Sequence, residues 1–420
     1  MACLSAAAGL AAPIRNVILC IGDGMGPAQV EAARCYAGTQ LFFETFPYQS
    51  LITTFAAGGQ LTDSAAAATA IATGYKVYEG VLSLALPGDG RELETLLEAF
   101  QSQGKSAGLV TTSYLTDATP AAFGAHETDR YNQTQIASDY LVQTRPDVLM
   151  GGGGGGELTA AAAAAAGYQV VSDAAGLAAV DAARTARVCG LFGYWSMPYE
   201  YDGLGPFPRL TDMALKALEV LDNDPDGFFL MVEGGRIDHA CHAHDLPRSV
   251  FETLAFDAVV RRLTEWAQGR GDTLILVVSD HETGGLSVLA DNGAGTFPDV
   301  TWSTWGHTGT PVTLYGWGVN ADLVTHVADN TGVCAVARSA ALMPAVAVAC
   351  ERVASDRFNL TWAVSSGDVY RVEQSLALLP PDWRPSGVVT AVSTRVDVVD
   401  TNAAGRAQGY YRLISTQAAP

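Results

Sequence analysis

The sequence predicts an α/β fold with a doubly wound, mostly parallel central sheet flanked by helices, followed by a small antiparallel β-sandwich-like domain. Two observations predict this fold. Short apolar runs bounded by glycine or acidic turns alternate with stretches of helical periodicity, and later β-rich segments are separated by turn residues. Because the chain has 420 residues and 49% of them are hydrophobic, it can bury a large core.

Five apolar runs are predicted to be buried strands of the parallel sheet, because each is continuously apolar rather than alternating. In chain order they are Asn16–Ile21, Ala107–Thr112, Asp147–Met150, Phe228–Val232 and Thr273–Ser279. Apolar residues at helical spacing, with charges on the opposite face, predict helices over Arg91–Gln103 and Ser249–Gln268.

Changes in composition predict three segments. Residues 1–13 are small and apolar, like the tail of a secretory signal, which predicts an exported protein, periplasmic or extracellular; the alternative is a disordered N-terminus. Residues 14–345 hold the alternating strands and helices. Residues 351–420 are predicted to form the β-rich domain, because they contain the strand-like segments Asn359–Val364, Tyr370–Ser375, Val388–Val392 and Tyr410–Ser415.

The net charge of −20 argues against nucleic acid as a specific partner, because a phosphate backbone requires a basic face. An acidic chain still attracts an anionic substrate where bound divalent cations reverse the local field. No run of 18 or more apolar residues occurs, so no membrane-spanning helix is predicted. The seven cysteines lack zinc-finger spacing, and their pairing stays open.

Acidic and imidazole side chains follow the predicted strands at their carboxyl ends. Asp23 follows the first strand, Glu233 the fourth, and Asp280 with His281 the fifth. Open α/β sheets bind ligands at this edge. These side chains are therefore predicted to converge on one site.

A first zinc site is predicted from helical spacing. Asp238 and His242 are four residues apart, so on a helical turn they project from one face and can share a metal ion. His307, in a Gly-His-Thr-Gly loop, is the candidate third ligand. An imidazole-accepting site with an open position suits zinc.

Two further ions are predicted beside it. Asp280 and His281, adjacent at a strand end, are candidate ligands of a second zinc together with Asp23. Glu233 and Thr119 offer only oxygen, which suits magnesium, and Asp23 is the candidate bridge between that ion and the second zinc.

Charge balance supports the prediction of three ions. Without cations, converging carboxylates repel one another and their pKa values rise. Three dications neutralise the five carboxylates and leave a residual positive potential that attracts a phosphate dianion. The five are Asp23, Asp117, Glu233, Asp238 and Asp280.

A serine and an arginine complete the candidate site. Ser64 begins an alanine-rich run predicted to be helical, where the dipole favours an anion; it is predicted to be the nucleophile, and the alternative is an ordinary N-cap. Arg130 offers a bidentate fork for two phosphate oxygens; the alternative is a surface ion pair beside Asp129.

Other residues receive supporting roles. Asp63, next to Ser64, and His239, near the magnesium or the substrate, are predicted to assist the site without binding an ion. His126 and His244 are predicted to be structural.

Six fragments of the chain together resemble the alkaline phosphatase family. They occur in the family's order between Asn16 and Ala335, about three-quarters of the chain. They are Gly22–Gly26, Thr62–Ala65, Asp117–Pro120 with Arg130, Val232–His242, Asp280–His281 and His307–Gly309. The resemblance implies a phosphomonoesterase with two Zn²⁺ and one Mg²⁺, typically a homodimer and typically exported.

The resemblance also implies residue roles. Ser64 matches the nucleophile that becomes a phosphoserine, and Arg130 matches the arginine that binds the substrate phosphate. Asp117 and His239 lie at positions where family members carry different residues. The matching metal ligands are Asp238, His242 and His307 for the first zinc, Asp23, Asp280 and His281 for the second, and Asp23, Thr119, Glu233 and, through a water, Asp117 for magnesium.

The leading hypothesis is hydrolysis of small-molecule phosphate monoesters through a phosphoserine. A phosphodiesterase or sulfatase of the same superfamily is the alternative. Ser64 lacks the Cys/Ser-x-Pro-x-Arg context of a sulfatase, and Arg130 with the magnesium site favours a dianionic monoester over a diester. A non-enzymatic alternative is a phosphate-capturing surface protein that works through residues 351–420.

Overall fold

The structure of the chain, a computed structural model, describes residues 15–341 and six later strands. The chain divides into two compact units, Met1–Ala341 and Leu342–Pro420. The predicted export segment, residues 1–13, lies outside the described residues. Among the residues that are described, no helix has both the length and the apolar character to cross a bilayer.

Thirteen strands are described in the first unit. They are β1 (Asn16–Gly22), β2 (Tyr48–Ile52), β3 (Ser106–Tyr114), β4 (Val148–Gly152), β5 (Gln169–Val171), β6 (Val188–Leu191), β7 (Phe228–Gly234), β8 (Thr273–Val278), β9 (Glu282–Thr283), β10 (Ser287–Ala290), β11 (Asp299–Thr301), β12 (His307–Thr308) and β13 (Val312–Gly318).

Nine of these strands form one sheet in the order β2-β13-β8-β1-β7-β3-β4-β6-β5. Within it β13 alone runs antiparallel to its neighbours, and the other adjacent pairs are parallel. The short strands pair separately, β10 with β11 and β12 with β9. The predicted doubly wound, mostly parallel sheet is therefore confirmed.

Helices cover both faces of the sheet. They are α1 (Pro27–Ala37), α2 (Ser64–Thr73), α3 (Leu96–Gln101), α4 (Ala118–Gly124), α5 (Gln133–Val142), α6 (Ala160–Ala165), α7 (Ala174–Ala178), α8 (Leu210–Leu221), α9 (Arg236–His242), α10 (Leu246–Ala267) and α11 (Thr331–Ala341).

The alternation of side chains along β1 shows how the core is divided. Val17, Leu19 and Ile21 point into the cluster shared with α2, α4 and α11, whereas Ile18 and Cys20 point into the cluster shared with α1, α8 and α10. Every residue of β1 is buried, as expected for a central strand covered on both faces. The edge of the sheet, where the strands end, is therefore left to polar side chains.

The predicted strands all occur, with ends that differ by one or two residues at most sites. The predicted helix at Arg91–Gln103 is shorter and begins only at Leu96. Its start is set by a capping box, in which the Thr95 hydroxyl accepts from the Glu98 N–H and the Glu98 carboxylate accepts from the Thr95 N–H.

The second unit is described through six strands. They are β14 (Ala347–Ala354), β15 (Arg357–Ala363), β16 (Val369–Ser375), β17 (Arg384–Thr390), β18 (Arg395–Asp400) and β19 (Tyr410–Ser415). They form two three-stranded antiparallel sheets, β14-β15-β18 and β17-β16-β19. All four predicted strand segments overlap described strands, and β14 and β18 were not predicted. The face-to-face packing of a sandwich stays a prediction.

A buried carboxyl outside the candidate site predicts how stability depends on pH. Glu252, on α10, is 2% exposed and accepts a hydrogen bond from the Glu200 N–H at 2.8 Å. Burial raises the pKa of Glu252 from 4.5 to about 7. The folded chain then binds more protons than the unfolded chain in this range, so the free energy of unfolding falls as pH rises from about 4.5 through about 7.

We therefore expect Glu252→Gln, which keeps the acceptor without the charge, to become more stable relative to the unchanged protein as pH rises. The relative gain should be about 2 kcal/mol between pH 5 and pH 8, measured by urea unfolding. Glu265→Gln, on the exposed side of the same helix, is the control. Parallel pH profiles for the unchanged protein and Glu252→Gln would refute the assignment.

Candidate active site

Four neighbouring strands, β8, β1, β7 and β3, end at one edge of the sheet, and each carries an acidic side chain there. Asp23 directly follows β1, Glu233 lies at the end of β7, Asp280 is two residues beyond β8, and Asp117 is three beyond β3. All four are buried. The strand-end prediction is thus matched by the observed placement of these carboxylates.

Ser64 is the first residue of α2, and its hydroxyl points into this edge. Its Oγ lies 3.2 Å from Nε2 of His281. The cap of the helix is the preceding residue, Asp63, whose Oδ1 accepts from the Ala66 N–H at 3.0 Å. The alternative interpretation of Ser64 as the N-cap is therefore wrong, because Asp63 makes the capping hydrogen bond and the Ser64 hydroxyl faces His281 instead.

Asp238, His242 and His307 come together as the helical spacing predicted. Asp238 and His242 lie on one face of α9, and Nε2 of His242 is 3.3 Å from Oδ1 of Asp238. Nε2 of His307, on β12, lies 3.7 Å from the same carboxylate oxygen and 3.1 Å from Nε2 of His242.

The hydrogen bonds of these two histidines indicate that a cation belongs between them. Nδ1 of His242 faces the carbonyl oxygen of Trp305 at 2.5 Å, and Nδ1 of His307 faces that of Thr62 at 2.8 Å. A carbonyl oxygen only accepts, so each Nδ1 carries a proton and each Nε2 is left to face Asp238 and the other ring. Two imidazole nitrogens and a carboxylate oxygen gathered in this way are ligands that suit a divalent cation such as zinc.

Asp23, Asp280 and His281 form a second, fully buried group. Nε2 of His281 is 3.1 Å from Oδ2 of Asp280 and 3.7 Å from Oδ1 of Asp23. Both of these carboxylate oxygens are buried without a hydrogen-bond partner among the described residues. The other oxygen of Asp280 accepts from the N–H groups of Gly24 and His281, so the free oxygen is aimed at the ring.

Thr283 links the two groups; it belongs to the fragment Ser279-Asp-His-Glu-Thr283, but no role was predicted for it. Its hydroxyl donates to Oδ1 of Asp238 at 2.5 Å, because a carboxylate can only accept. The same Oγ1 lies 3.2 Å from Nδ1 of His281 and must accept from it. His281 therefore carries its proton on Nδ1 and turns the Nε2 lone pair toward Ser64. The position of Thr283 two residues after His281 was the available signal.

Glu233, Thr119 and Asp117 form the oxygen-only group. A carboxylate oxygen of Glu233 accepts from the hydroxyl of Thr111. The hydroxyl of Thr119, in the first turn of α4, is buried and forms no hydrogen bond of normal geometry among the described residues, although it lies close enough to Glu233 to favour the charged form of that carboxyl. Asp117 accepts from the Ser113 hydroxyl and, at 2.8 Å, from the Ala118 N–H, so it already has protein partners.

The clustered carboxylates repel one another electrostatically. Burial, and then repulsion from the neighbouring carboxylates, raises the pKa of Asp23 well above its usual value. Burial is also the largest cause that raises the pKa of Asp280 to about 7 and that of Glu233 to about 8. Burial lowers the pKa of His281 well below its usual value. Such a set of side chains fits divalent cations, which would offset this repulsion.

Arg130 lies between two carboxylates rather than beside Asp129, so the alternative of an ion pair with Asp129 is wrong. Its Nη1 is 3.0 Å from Oδ2 of Asp63 and its Nη2 is 3.2 Å from Oδ1 of Asp117. Although burial alone lowers the pKa of Arg130, the two carboxylates raise it above its ordinary value. The guanidinium is therefore held charged with its fork fixed in one plane.

His239 lies beside the ion pair between Arg130 and Asp117. Its Nε2 is 3.8 Å from Oδ2 of Asp117, and its Nδ1 is 2.9 Å from Nη1 of Arg236. Burial lowers the pKa of His239. Although burial alone raises the pKa of Asp117, Arg130 and His239 lower it below its ordinary value.

The two histidines predicted to be structural, His126 and His244, lie outside the three groups of candidate metal ligands. His126 contacts Glu98 at 3.0 Å and the Ser83 carbonyl at 2.9 Å. His244 stacks against the ring of Trp305, with the ring centroids 3.6 Å apart. This stack supports the loop whose carbonyl faces His242.

A cleft of about 410 Å³ opens beside Arg130, His242 and His307. Its walls come from the ends of α2 and α9 and from the loop before β12. They are formed by Asp63, Glu79, Gly80, Arg130, Tyr131, His242, Gly306 and His307. A small anionic group that entered here would meet the guanidinium of Arg130 and the imidazoles of His242 and His307.

Comparison with known proteins gives a consistent result. The alkaline phosphatase family model matches residues 14–297. Alkaline phosphatase 3 of Bacillus subtilis is 37% identical over 66% of this chain and 63% of its own length, so the chain spans less than two thirds of that relative. Alkaline phosphatase of Escherichia coli is 31% identical over 76% of this chain and 84% of its own length.

Solved structures have the same fold. The alkaline phosphatase of the Antarctic bacterium TAB5 superposes with a TM-score of 0.71 and 27% identity, covering 78% of this chain and 98% of that one. A variant of the TAB5 enzyme, with the same TM-score and coverage, has Mg bound in its M3 site.

Proposed function

Because the chain belongs to the alkaline phosphatase family, we propose that it hydrolyses phosphate monoesters to an alcohol and inorganic phosphate. One observation carries the proposal. The Ser64 hydroxyl lies 3.2 Å from Nε2 of His281, where two groups of candidate metal ligands meet. A binding protein would not need a buried hydroxyl at this point.

The proposed cofactors are two zinc ions and one magnesium ion. Bound there, the ions would act as Lewis acids toward the phosphate oxygens and lower the pKa of a hydroxyl or water. Support comes from buried oxygens of Asp23, Asp280 and Thr119 that form no hydrogen bond of normal geometry among the described residues. The proposed holders are Asp238, His242 and His307 for one zinc, Asp23, Asp280 and His281 for the other, and Asp23, Thr119, Glu233 and, through a water, Asp117 for magnesium. Nε2 of His281 also lies within ligand reach of Asp238 and His307, so the two zinc sites are adjacent.

Ser64 is the proposed nucleophile. Its Oγ attacks phosphorus and gives up its proton, the P–O bond to the alcohol breaks, and the departing oxygen takes up a proton to leave as the alcohol. A water then cleaves the Oγ–P bond of the phosphoserine, which releases inorganic phosphate and returns a proton to Oγ. The helix supports this step, because α2 begins at Ser64 and its first-turn N–H groups favour the negative phosphoryl group. Asp63 holds that helix end in place as its cap.

Arg130 is the proposed clamp for two phosphate oxygens. Its fork is pre-oriented by Asp63 and Asp117, so little conformational freedom is lost when the substrate binds. His239 and Asp63 support the site without holding an ion, through Asp117 and Arg130.

The test of substrate class compares an aryl monoester, a diester and a sulfate ester. We expect the highest kcat/KM for the monoester, and Arg130→Ala should lower that value about 100-fold, because two charge-assisted hydrogen bonds are lost. The diester rate should fall less, since a diester carries one fewer negative oxygen. Arg91→Ala, an exposed arginine paired with Asp89, is the control. A faster diester than monoester in the unchanged protein would overturn the choice.

Two further proposals rest on family resemblance. The chain is proposed to form a homodimer, which sedimentation equilibrium tests, and to be exported, which fractionation of the producing cells tests. A single monomeric species, or protein confined to the cytoplasm, would contradict them. The domain limits of 14–345 and 351–420 are likewise proposed, and limited proteolysis checks them.

A further inference from the structure

Arg236, at the start of α9, makes a contact that restricts the chemistry of its neighbour on the helix. Nη1 of Arg236 lies 2.9 Å from Nδ1 of His239. A guanidinium carries only donors, so the imidazole nitrogen it contacts must accept. Nδ1 of His239 therefore holds a lone pair, and in the neutral ring the proton lies on Nε2.

The guanidinium is itself held from another side. Its carbon lies 3.7 Å from the centroid of the Tyr199 ring, a close cation–π contact. The backbone N–H of Arg236 donates to the Thr112 hydroxyl at 3.2 Å, which fixes the start of α9. Arg248 lies over the same ring, farther away at 5.0 Å, and pairs instead with exposed carboxylates. Of these two arginines, Arg236 is thus the one directed at the candidate active site.

Nε2 of His239 faces Asp117, with 3.8 Å between this nitrogen and Oδ2 of the carboxylate, a distance longer than a direct hydrogen bond. Asp117 in turn holds Arg130. A chain of contacts therefore runs from Tyr199 through Arg236 and His239 to the arginine fork.

We propose that Arg236 is a positioning residue that locks His239 in the Nε2–H tautomer and so presents an N–H donor beside Asp117. The proposal rests on the proposed function only for its catalytic consequence, since the tautomer is a property of the resting protein. Without the guanidinium, the ring can exchange tautomers or rotate. The donor is then present only part of the time, and Asp117 with Arg130 loses one support.

The tautomer is measured directly by NMR of protein labelled with ¹⁵N in histidine, with the His239 signals assigned from the spectrum of His239→Gln. We expect the Nδ1 signal of an unprotonated nitrogen and the Nε2 signal of a protonated one. Arg236→Met should give an averaged or reversed pattern. Arg248→Met, which removes the other arginine over Tyr199, should leave the pattern of the unchanged protein. A protonated Nδ1 in the unchanged protein, or an unaltered pattern in Arg236→Met, overturns the proposal.

Kinetics test whether Arg236 acts through His239. We expect Arg236→Met to lower kcat/KM about tenfold in the unchanged background, as loss of a supporting contact typically does, and hardly at all in a His239→Gln background. Arg236→Lys, which keeps a donor and a charge over Tyr199, should recover part of the loss. Equal losses in both backgrounds would contradict action through His239. Because the NMR pattern needs no turnover, failure of the proposed activity leaves that result readable.

Discussion

Ser64→Ala is expected to reduce phosphomonoester hydrolysis by about 10⁴-fold or more, because loss of an activated serine removes the covalent route altogether. The residue occupies the first turn of α2 and is 4% exposed, and the exchange removes only one oxygen atom. The helix cap is Asp63, so the variant should fold normally. Initial rates with an aryl phosphate, together with the melting temperature, check both expectations.

A serine elsewhere provides the matched control. Ser102→Ala removes a hydroxyl at the end of α3 that donates only to the Ala99 carbonyl, and its rate should equal that of the unchanged protein. Mass spectrometry of protein quenched during turnover should find one added phosphoryl group, and Ser64→Ala should lack it. A Ser64→Ala rate within a few-fold of the unchanged protein would refute covalent catalysis by this residue.

Removal of divalent cations is the second change with a large expected effect. Chelation should abolish hydrolysis, because it leaves the buried carboxylates without counter-charge. Addition of zinc with magnesium should restore the activity. Each tightly held ion also adds about 4 kcal/mol to the free energy of unfolding at a thousandfold excess over its Kd. The stripped protein should therefore melt well below the loaded protein.

The raised pKa values of two buried carboxyls predict that metal binding releases protons. Without cations, Asp280 with a pKa of about 7 and Glu233 with a pKa of about 8 are partly protonated at pH 7. Metal loading must displace those protons. Calorimetry in buffers of different ionisation enthalpy should therefore show proton release, and Asp89→Asn, on the exposed surface, should not alter it. Full activity after exhaustive chelation, or loading without proton release, would contradict the proposed centre.

The central strands were predictable from the sequence because burial on both faces leaves a continuous apolar run. β1 and β7 are buried at every residue, and both were predicted. β2, an edge strand that is mostly exposed, carries no such run and was missed. β6 is buried but has only four residues, too few to be recognised by composition, and was also missed. Edge strands depend on pairing with a distant partner, here β13 for β2, which local composition does not reveal.

The candidate ligands were predictable because residue type and position at a strand end both carry information. Asp23, Glu233 and Asp280 were located in this way, and the structure brings them together. The contact between Ser64 and His281 spans 217 positions, so it depends on tertiary packing that periodicity does not encode. The same holds for the bond from Thr283 to Asp238.

The start of α2 shows most clearly what cannot be predicted from composition alone. Asp63 and Ser64 are adjacent, and either side chain can cap a helix, so composition alone does not distinguish the cap from the free hydroxyl. The structure resolves the choice through one bond, from the Ala66 N–H to Asp63. Contacts of Arg236 and Thr283 were missed for the same reason, since each depends on how α9 and the loop after β8 are packed.

Anomalous X-ray diffraction at the zinc absorption edge, from crystals of the metal-loaded protein, tests most directly the claim that this acid and imidazole cluster holds ions beside Ser64. The account predicts two strong peaks, one among Asp238, His242 and His307 and one among Asp23, Asp280 and His281, with the Ser64 hydroxyl next to the second. Peaks confined to the outer surface, or the absence of any peak at this edge of the sheet in a fully active sample, would contradict it.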